Sequence, residues 1–163
     1  MSAADVELIR RGYRDWNRGD LEAVAELLDP EVVFSGLTNM PDRGPHHGRT
    51  AVRRWLEELG QTWEQMSAGE PELIDAGGRV VAVVRLAGRG MRSGVDIGGG
   101  TDVHVWSLDG RRITGLRMLH AGEAIDLAGL EAEEWEALTG ASADERGEDA
   151  RRAREKLSGL DGA

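Results

Sequence analysis

The most regular pattern in this chain is a helical spacing of apolar residues near its start. Val6, Ile9, Tyr13 and Trp16 recur every three or four residues, which predicts one helix with a single buried face. Gly19 is expected to end this helix because glycine is the residue that most often follows a helix terminus. The first element is therefore predicted to be amphipathic and to cover a core.

A second helix and a short strand are predicted next. Asp20 is expected to cap the helix, and Pro30 is expected to close it. The buried side of this helix would consist of Leu21, Val24, Leu27 and Leu28. The apolar residues 32–34 then predict a strand.

Residues 36–49 are predicted to form a loop because they contain Pro41, Gly44 and Pro45. A long third helix is expected to begin at the capping residue Thr50. Its apolar face follows a 3.6-residue period through Val52, Trp55, Leu56, Leu59, Trp63 and Met66.

After Gly69 and Pro71 the apolar period changes from that of a helix to that of strands. Gly77-Gly78 and Asp109-Gly110 are typical of hairpin turns, and the glycine-rich residues 88–100 predict a loose connection. The predicted strands lie at residues 73–75, 80–86, 101–108 and 113–120. Residues 80–84 are apolar without alternation, so both faces of that strand are expected to be covered.

The element order predicts an α+β protein with a mostly antiparallel sheet. A chain of 163 residues is long enough for one domain. We assign residues 1–130 to that domain, and interpret the acidic residues 131–163 as a tail that is helical or partly disordered.

Composition narrows the classes of function. The net charge of −10 disfavours nucleic acid as a partner, because phosphate backbones require a basic surface. No apolar stretch is long enough to span a membrane, and the N-terminus lacks an apolar secretory core. The absence of cysteine excludes disulfides and thiolate metal sites and fits a cytoplasmic protein.

Three stretches of the chain carry a resemblance to a known family. They are residues 13–30, residues 47–52 and the hairpin at residues 106–113. Together they resemble the nuclear transport factor 2-like superfamily, which includes ketosteroid isomerases and SnoaL-like polyketide cyclases. The resemblance implies three N-terminal helices over a curved sheet that is wrapped as a cone around an apolar cavity, a cystatin-like roll. It also implies a homodimer formed through the outer face of the sheet.

Two histidines are the candidate catalytic residues. Strand alternation places His104 on one face with Asp102 and Trp106, and places His120 on one face with Met118. The resemblance implies that both faces line the cavity. His104 falls where ketosteroid isomerases have a protonated aspartic acid, and His120 falls near a catalytic acidic residue of SnoaL-like cyclases. Histidine can act there as an acid, a base or a hydrogen-bond donor, or can be a hydrogen-bonded core residue.

Other residues are candidates for lining a substrate pocket. The full predicted set is Tyr13, Trp16, Phe34, Trp55, Leu59, Trp63, Asp102, Trp106 and Met118. Core packing is the alternative for Tyr13 and for the two helical tryptophans, Trp55 and Trp63. Asp102 could orient His104 or a substrate, or could sit in water at the mouth of the pocket.

The chain departs from the steroid isomerase pattern at one decisive position. Gly36 falls where that enzyme has its general base, an aspartate. A true ketosteroid isomerase is therefore disfavoured. The adjacent His46 and His47 diverge in an extended segment and have no further ligand at the right spacing, so neither a metal nor another cofactor is expected.

Three functions remain open from the sequence. The first is cofactor-independent cyclisation, isomerisation or dehydration of a small, mainly apolar carbonyl compound. The second is binding of such a ligand without catalysis, which the missing base favours. The third is a dimeric interaction module that recruits a partner through the acidic tail.

Overall fold

A computed structural model of the chain describes residues 3–37, 42–75, 79–97 and 102–120. The three helices are α1 (Ala3–Asn17), α2 (Leu21–Leu27) and α3 (Arg49–Thr62). The strands are β1 (Leu28–Ser35), β2 (His46–His47), β3 (Trp63–Ala68), β4 (Glu72–Asp75), β5 (Arg79–Val84), β6 (Leu86–Gly90), β7 (Asp96–Ile97), β8 (Asp102–Asp109) and β9 (Arg112–His120). The predicted tail, residues 131–163, and the turn Gly77-Gly78 lie outside the described residues.

The main sheet has six strands in the order β2-β1-β9-β8-β5-β4. β1 and β9 run parallel, and the other neighbours in this sheet are antiparallel. A second sheet of three strands has the order β3-β6-β7. Three helices on a curved, open and mostly antiparallel sheet confirm the predicted α+β class.

The first two helices follow the predicted pattern. Ile9 and Tyr13 of α1 are buried, and Asp20 caps α2 by accepting a hydrogen bond from the backbone N–H of Ala23 at 3.0 Å. The helix ends at Leu27, however, so Pro30 lies inside β1 and does not close α2. β1 tolerates this proline because its pairing with β9 is irregular between Leu28 and Val33.

Replacing Asp20 by alanine should lower the free energy of unfolding by about 1 kcal/mol, because the capped N–H loses its acceptor. Asp20→Asn keeps a capping oxygen and serves as the matched control. Denaturant titration of both variants measures the effect. Equal losses in the alanine and asparagine variants would show that the cap does not stabilise α2.

The third helix begins and ends earlier than predicted. Gly48, and not Thr50, is its N-cap residue, and the backbone leaves the helix after Thr62. Trp63 instead pairs with Gly90, and Ala68 pairs with Leu86. Both pairs join β3 to β6 in the second sheet. Helical periodicity through Met66 was misleading here because long-range strand pairing overrides a local pattern.

The glycine-rich connection is also more ordered than predicted. Residues 86–90 and 96–97 form β6 and β7, which pair with each other. The strand predicted at residues 80–86 is interrupted at Arg85, and the chain changes there from the six-stranded to the three-stranded sheet. This change of sheet is what places β3 and β6 near the C-terminal ends of α1 and α3.

Both faces of the central strands are covered. Val80 and Ala82 face the helices and belong to the main core, whereas Val81 and Val103 lie on the opposite face. All four side chains are at most 1 % exposed. The prediction that the strand at residues 80–84 is buried on both faces is therefore confirmed, although Val83 is half-buried.

Candidate functional site

A cavity lies between the helices and the inner face of the main sheet. The space open to the centre of a water-sized sphere is about 60 Å³. Six of the predicted pocket residues and one predicted catalytic residue line it, namely Tyr13, Trp16, Phe34, Leu59, Trp106 and Met118 together with His104. Apolar side chains make up nearly the whole wall, so the few polar atoms in it decide which ligands can be recognised.

Those polar atoms form one buried hydrogen-bond chain across 93 residues of sequence. The Trp106 indole Nε1–H donates to the Tyr13 hydroxyl oxygen at 2.9 Å. The same hydroxyl lies 2.6 Å from His104 Nδ1. The Tyr13 and Trp106 rings meet edge to face with centroids 5.6 Å apart, and the Tyr13 and His104 rings are stacked at 5.9 Å.

Helix and strand geometry explain why these three side chains meet. Tyr13 lies on the buried face of α1, one turn after Ile9. His104 and Trp106 are two residues apart on β8 and therefore share its inner face. Their strand is central in the sheet, flanked by β5 and β9, so the positions of both rings are fixed by backbone pairing on either side.

Counting hydrogens assigns the tautomer of His104. Because Trp106 can only donate, the Tyr13 oxygen accepts, and its own hydrogen is free to go to His104 Nδ1. His104 then carries its proton on Nε2. The opposite tautomer would leave both the Tyr13 hydrogen and the Nε2 lone pair without a partner among the described residues, which costs one more unsatisfied group.

Burial keeps His104 and Tyr13, the two ionisable members of this hydrogen-bond chain, neutral near pH 7. It lowers the pKa of His104 from 6.5 to about 3, because a buried imidazolium has no water around it. Burial also raises the pKa of Tyr13 above its usual value of 10, and the hydrogen bond from Trp106 opposes that rise only in part. His104 is therefore a neutral donor in this site and a poor proton acceptor.

One polar atom of the Trp106–Tyr13–His104 hydrogen-bond chain has no partner among the described residues. His104 Nε2 is buried and has no hydrogen-bond partner among the described residues, and the whole residue is 2 % exposed. A buried donor without a partner costs about 1–3 kcal/mol. His104 lines the cavity, and its buried Nε2–H group is a donor that an accepting atom would stabilise.

The other predicted site residues lie elsewhere. Trp55 is in the core and stacks on His46, with ring centroids 4.8 Å apart. Trp63 lines a separate outer groove, described below. Asp102 is 8 % exposed and is not part of the cavity wall, so it does not sit in water at a pocket mouth.

His120 is placed only through its backbone. It pairs with Asp102 at the end of β9, and Met118 pairs with His104. This register agrees with the predicted alignment of the two strands. The His120 side chain lies outside the described part of the structure, so its catalytic role stays a prediction.

Sequence reasoning missed several cavity residues. They include Gly12 and Leu27 from the first two helices, Leu28 from β1, Ile113 and Leu116 from β9, and Met66 and Leu86 from the second sheet. Gly12 had a readable signal, because a glycine inside an otherwise regular helix lowers helix stability and calls for a packing reason. Met66 had none, since its strand was predicted as helix.

Among the described residues, neither a metal site nor a carboxylate in the cavity wall is present. Within them, no three histidine, aspartate or glutamate side chains come together as metal ligands. The part of the cavity wall that the structure describes also contains no carboxylate. No described helix is long and apolar enough to cross a membrane.

Comparison with known families gives the class of protein. Residues 9–116 match the model of the SnoaL-like domain, and this match covers more than half of the chain. The chain therefore belongs to the SnoaL-like domain family. Among proteins with curated descriptions, none matches the chain.

Solved structures share the fold at low sequence identity. An NTF2-like protein of unknown function from Burkholderia pseudomallei is 22 % identical, with a TM-score of 0.64 over 73 % of this chain and 92 % of its own. A candidate polyketide cyclase from Xanthomonas campestris pv. campestris is 19 % identical, with a TM-score of 0.62 over 72 % and 90 %. TerC, co-crystallised with polyporic acid, is 20 % identical, with a TM-score of 0.65 over 76 % and 96 %. These likenesses concern the fold alone.

Proposed function

We propose that this protein binds a small, mainly apolar molecule that carries a carbonyl oxygen, with that oxygen accepting a hydrogen bond from His104 Nε2. The observation that carries the proposal is a buried donor, without a described partner, on a residue that lines an apolar cavity. The Trp106–Tyr13–His104 chain fixes the tautomer that makes Nε2 a donor. Similar structures with names such as polyketide cyclase, or with a bound polyporic acid, agree with a cavity that takes carbonyl compounds.

Binding is favoured over catalysis by the charge state of the site. Acid–base catalysis near neutrality works best with a group whose pKa lies near the working pH. The pKa of His104 is far below that range, and the pKa of Tyr13 is far above it. His104 can hold and polarise a carbonyl through Nε2–H, but neither group readily takes up a proton.

Acetophenone and α-methylstyrene form a matched pair of probes, because they differ only in a C=O against a C=CH₂ group. Acetophenone should bind about tenfold more tightly, since only its oxygen can satisfy His104 Nε2–H. In His104→Phe, which keeps a flat ring but removes the donor, this preference should be lost or reversed, because the acetophenone oxygen is then buried without a partner. Ligand-detected NMR titration measures both affinities.

Two outcomes of this titration would contradict the proposal. One is that neither probe binds the unchanged protein. The other is that the preference for acetophenone survives in His104→Phe, since the donor would then lie elsewhere. A folded His104→Phe variant is required for the comparison, and its far-UV circular dichroism provides that control.

A second candidate function is proton transfer next to the carbonyl, with His120 as the base. The register of β8 and β9 favours it, because residue 120 pairs with Asp102, two residues from His104. The base would remove a proton from the carbon beside the carbonyl, and His104 Nε2–H would stabilise the enolate oxygen. In D₂O the returned deuteron would label the methyl group of acetophenone, and His120→Ala would abolish that labelling. Binding without any labelling would leave the non-catalytic function.

The homodimer and the cytoplasmic location stay predictions. Sedimentation of the purified chain tests the first. The interaction-module alternative depends on residues 131–163, which lie outside the described residues.

A further inference from the structure

A second concave site adjoins the cavity on its helical side. This outer groove lies between the C-terminal ends of α1 and α3, the start of α2, and β3. Its space open to the centre of a water-sized sphere is about 310 Å³, compared with about 60 Å³ for the inner cavity. The inner cavity alone fits only a compact group, whereas the groove offers most of the room.

Three side chains belong to both walls. Trp16, Leu56 and Met66 line the cavity and also line the groove, so they form the partition between the two spaces. Trp16 and Met66 are half-buried. Met66 is unbranched with several rotatable bonds and can change rotamer at little cost. The partition is therefore thin and includes at least one adaptable side chain.

Each compartment also contains one glycine from the interior of a helix. Gly12 of α1 lines the cavity, and Gly60 of α3 lines the groove. A Cβ atom at Gly60 would meet nothing within 4 Å, and one at Gly12 would be 3.7 Å from Leu27 Cδ1, an ordinary contact. Alanine would thus fit both positions and would stabilise each helix by about 1 kcal/mol. Backbone packing therefore does not explain these glycines.

Two polar side chains at the groove are already engaged. The Asn17 side-chain amide donates to the Ala68 carbonyl at 2.8 Å and accepts from the Ala68 N–H at 2.9 Å. The Glu57 carboxylate pairs with Arg53 at 3.2 Å. About half of the groove surface is polar, and the apolar half includes Trp63, which lies beyond the partition. A flat aromatic side chain of this kind can hold a hydrocarbon or aromatic group.

We propose that cavity and groove form one bipartite site for an elongated carbonyl compound, whose carbonyl end lies at His104 and whose apolar tail crosses the Trp16–Leu56–Met66 partition toward Trp63. This inference rests on the proposed function, because it takes the inner end from there. It adds the length of the ligand, the direction of its tail and the side chains that select for it.

Acetophenone and 4′-pentylacetophenone test the inference because they share the carbonyl end and differ only in the tail. The unchanged protein should bind the pentyl compound at least tenfold more tightly, since each buried methylene group contributes roughly fourfold. Gly60→Met fills the groove from an open helical position and should weaken the pentyl compound about tenfold. Its affinity for acetophenone should stay within twofold.

Two further variants serve as controls. Glu58→Met adds the same side chain at an exposed α3 position that lines neither space and should leave both affinities nearly unchanged, which separates groove filling from a general effect on the helix. Gly12→Ala narrows the inner cavity and should weaken both probes. Circular dichroism and the midpoint of thermal unfolding confirm that each variant is folded.

The outcomes separate this inference from the proposed function. If both probes bind equally and Gly60→Met changes neither affinity, the bipartite site is wrong while the carbonyl site stands. If Gly60→Met weakens both probes equally, the groove is not a separate compartment and the inference is again wrong. If neither probe binds the unchanged protein, both proposals are overturned.

Discussion

Lowering the pH from 7 to 5 should destabilise this protein by about 2 kcal/mol through His104 alone. The imidazole has a pKa of about 3 in the folded chain and 6.5 when exposed. Between these values only the unfolded chain takes up the proton, so acid favours unfolding. The contribution of neutral, buried His104 is complete above about pH 6.5 and is lost as the pH falls toward 3. With total stabilities of about 5–15 kcal/mol, an effect of this size is readily measured.

Denaturant titrations at pH 7, 6 and 5 measure this loss. In His104→Gln the part of the acid destabilisation that His104 causes should disappear, whatever the stability of the variant at pH 7. His47→Gln carries the same substitution at an exposed histidine and is the matched control. If His104→Gln and the unchanged chain lose stability in parallel between pH 7 and 5, His104 is not buried as a neutral group.

Nitrogen chemical shifts of the histidine rings provide an independent measurement on the unchanged protein. His104 should keep its proton on Nε2 and show no titration down to about pH 4. A titration of this ring near pH 6.5 would contradict the burial that the proposed site requires. This measurement remains informative even if the glutamine variant fails to fold.

Local patterns in the sequence were sufficient for the parts of the site that lie within one element. The 3.6-residue period placed Tyr13 on the buried face of α1, and strand alternation placed His104 and Trp106 on one face of β8. Both results follow from the geometry of a single helix or strand. The fold class followed from the order of such elements.

Features that depend on distant partners could not be predicted in this way. The contact between Tyr13 and His104 joins residues 91 positions apart, so no spacing rule reveals it. The end of α3 at Thr62 is determined by the pairing of β3 with β6. Trp55 lies in the core beside His46, which belongs to a different element. The outer groove arises only where α1, α3 and β3 meet, so its size and lining are properties of tertiary packing.

Tyr13→Phe should lower the free energy of unfolding by about 3 kcal/mol although it removes a single oxygen atom. That oxygen accepts from Trp106 Nε1 and is bonded to His104 Nδ1, and all three residues are buried. The variant leaves two buried polar atoms without partners, at about 1–3 kcal/mol each. Denaturant titration at pH 7 measures the loss. A change smaller than about 0.5 kcal/mol, the size typical of a surface substitution, would show that the Trp106–Tyr13–His104 hydrogen bonds do not form.

A double-mutant cycle with Trp106→Phe separates the hydrogen bond from changes in packing. Trp106→Phe removes the indole N–H together with some volume, and the volume term cancels in the cycle. In the Trp106→Phe background, Tyr13→Phe should cost at least 1 kcal/mol less than in the unchanged chain, because no indole donor is then left unpaired. A coupling energy near zero would mean that Tyr13 and Trp106 are only packed together.

Tyr13→Phe also tests whether the hydrogen-bond chain that stabilises the fold controls recognition of the ligand. Without the Tyr13 hydroxyl nothing holds the His104 proton on Nε2, and the proton can move to Nδ1. The protein should then lose part of its preference for acetophenone over α-methylstyrene, even though residue 13 does not touch the carbonyl in the proposed complex. If the preference persists in Tyr13→Phe while the stability falls as expected, the hydrogen-bond chain holds the fold together without setting the donor for a ligand.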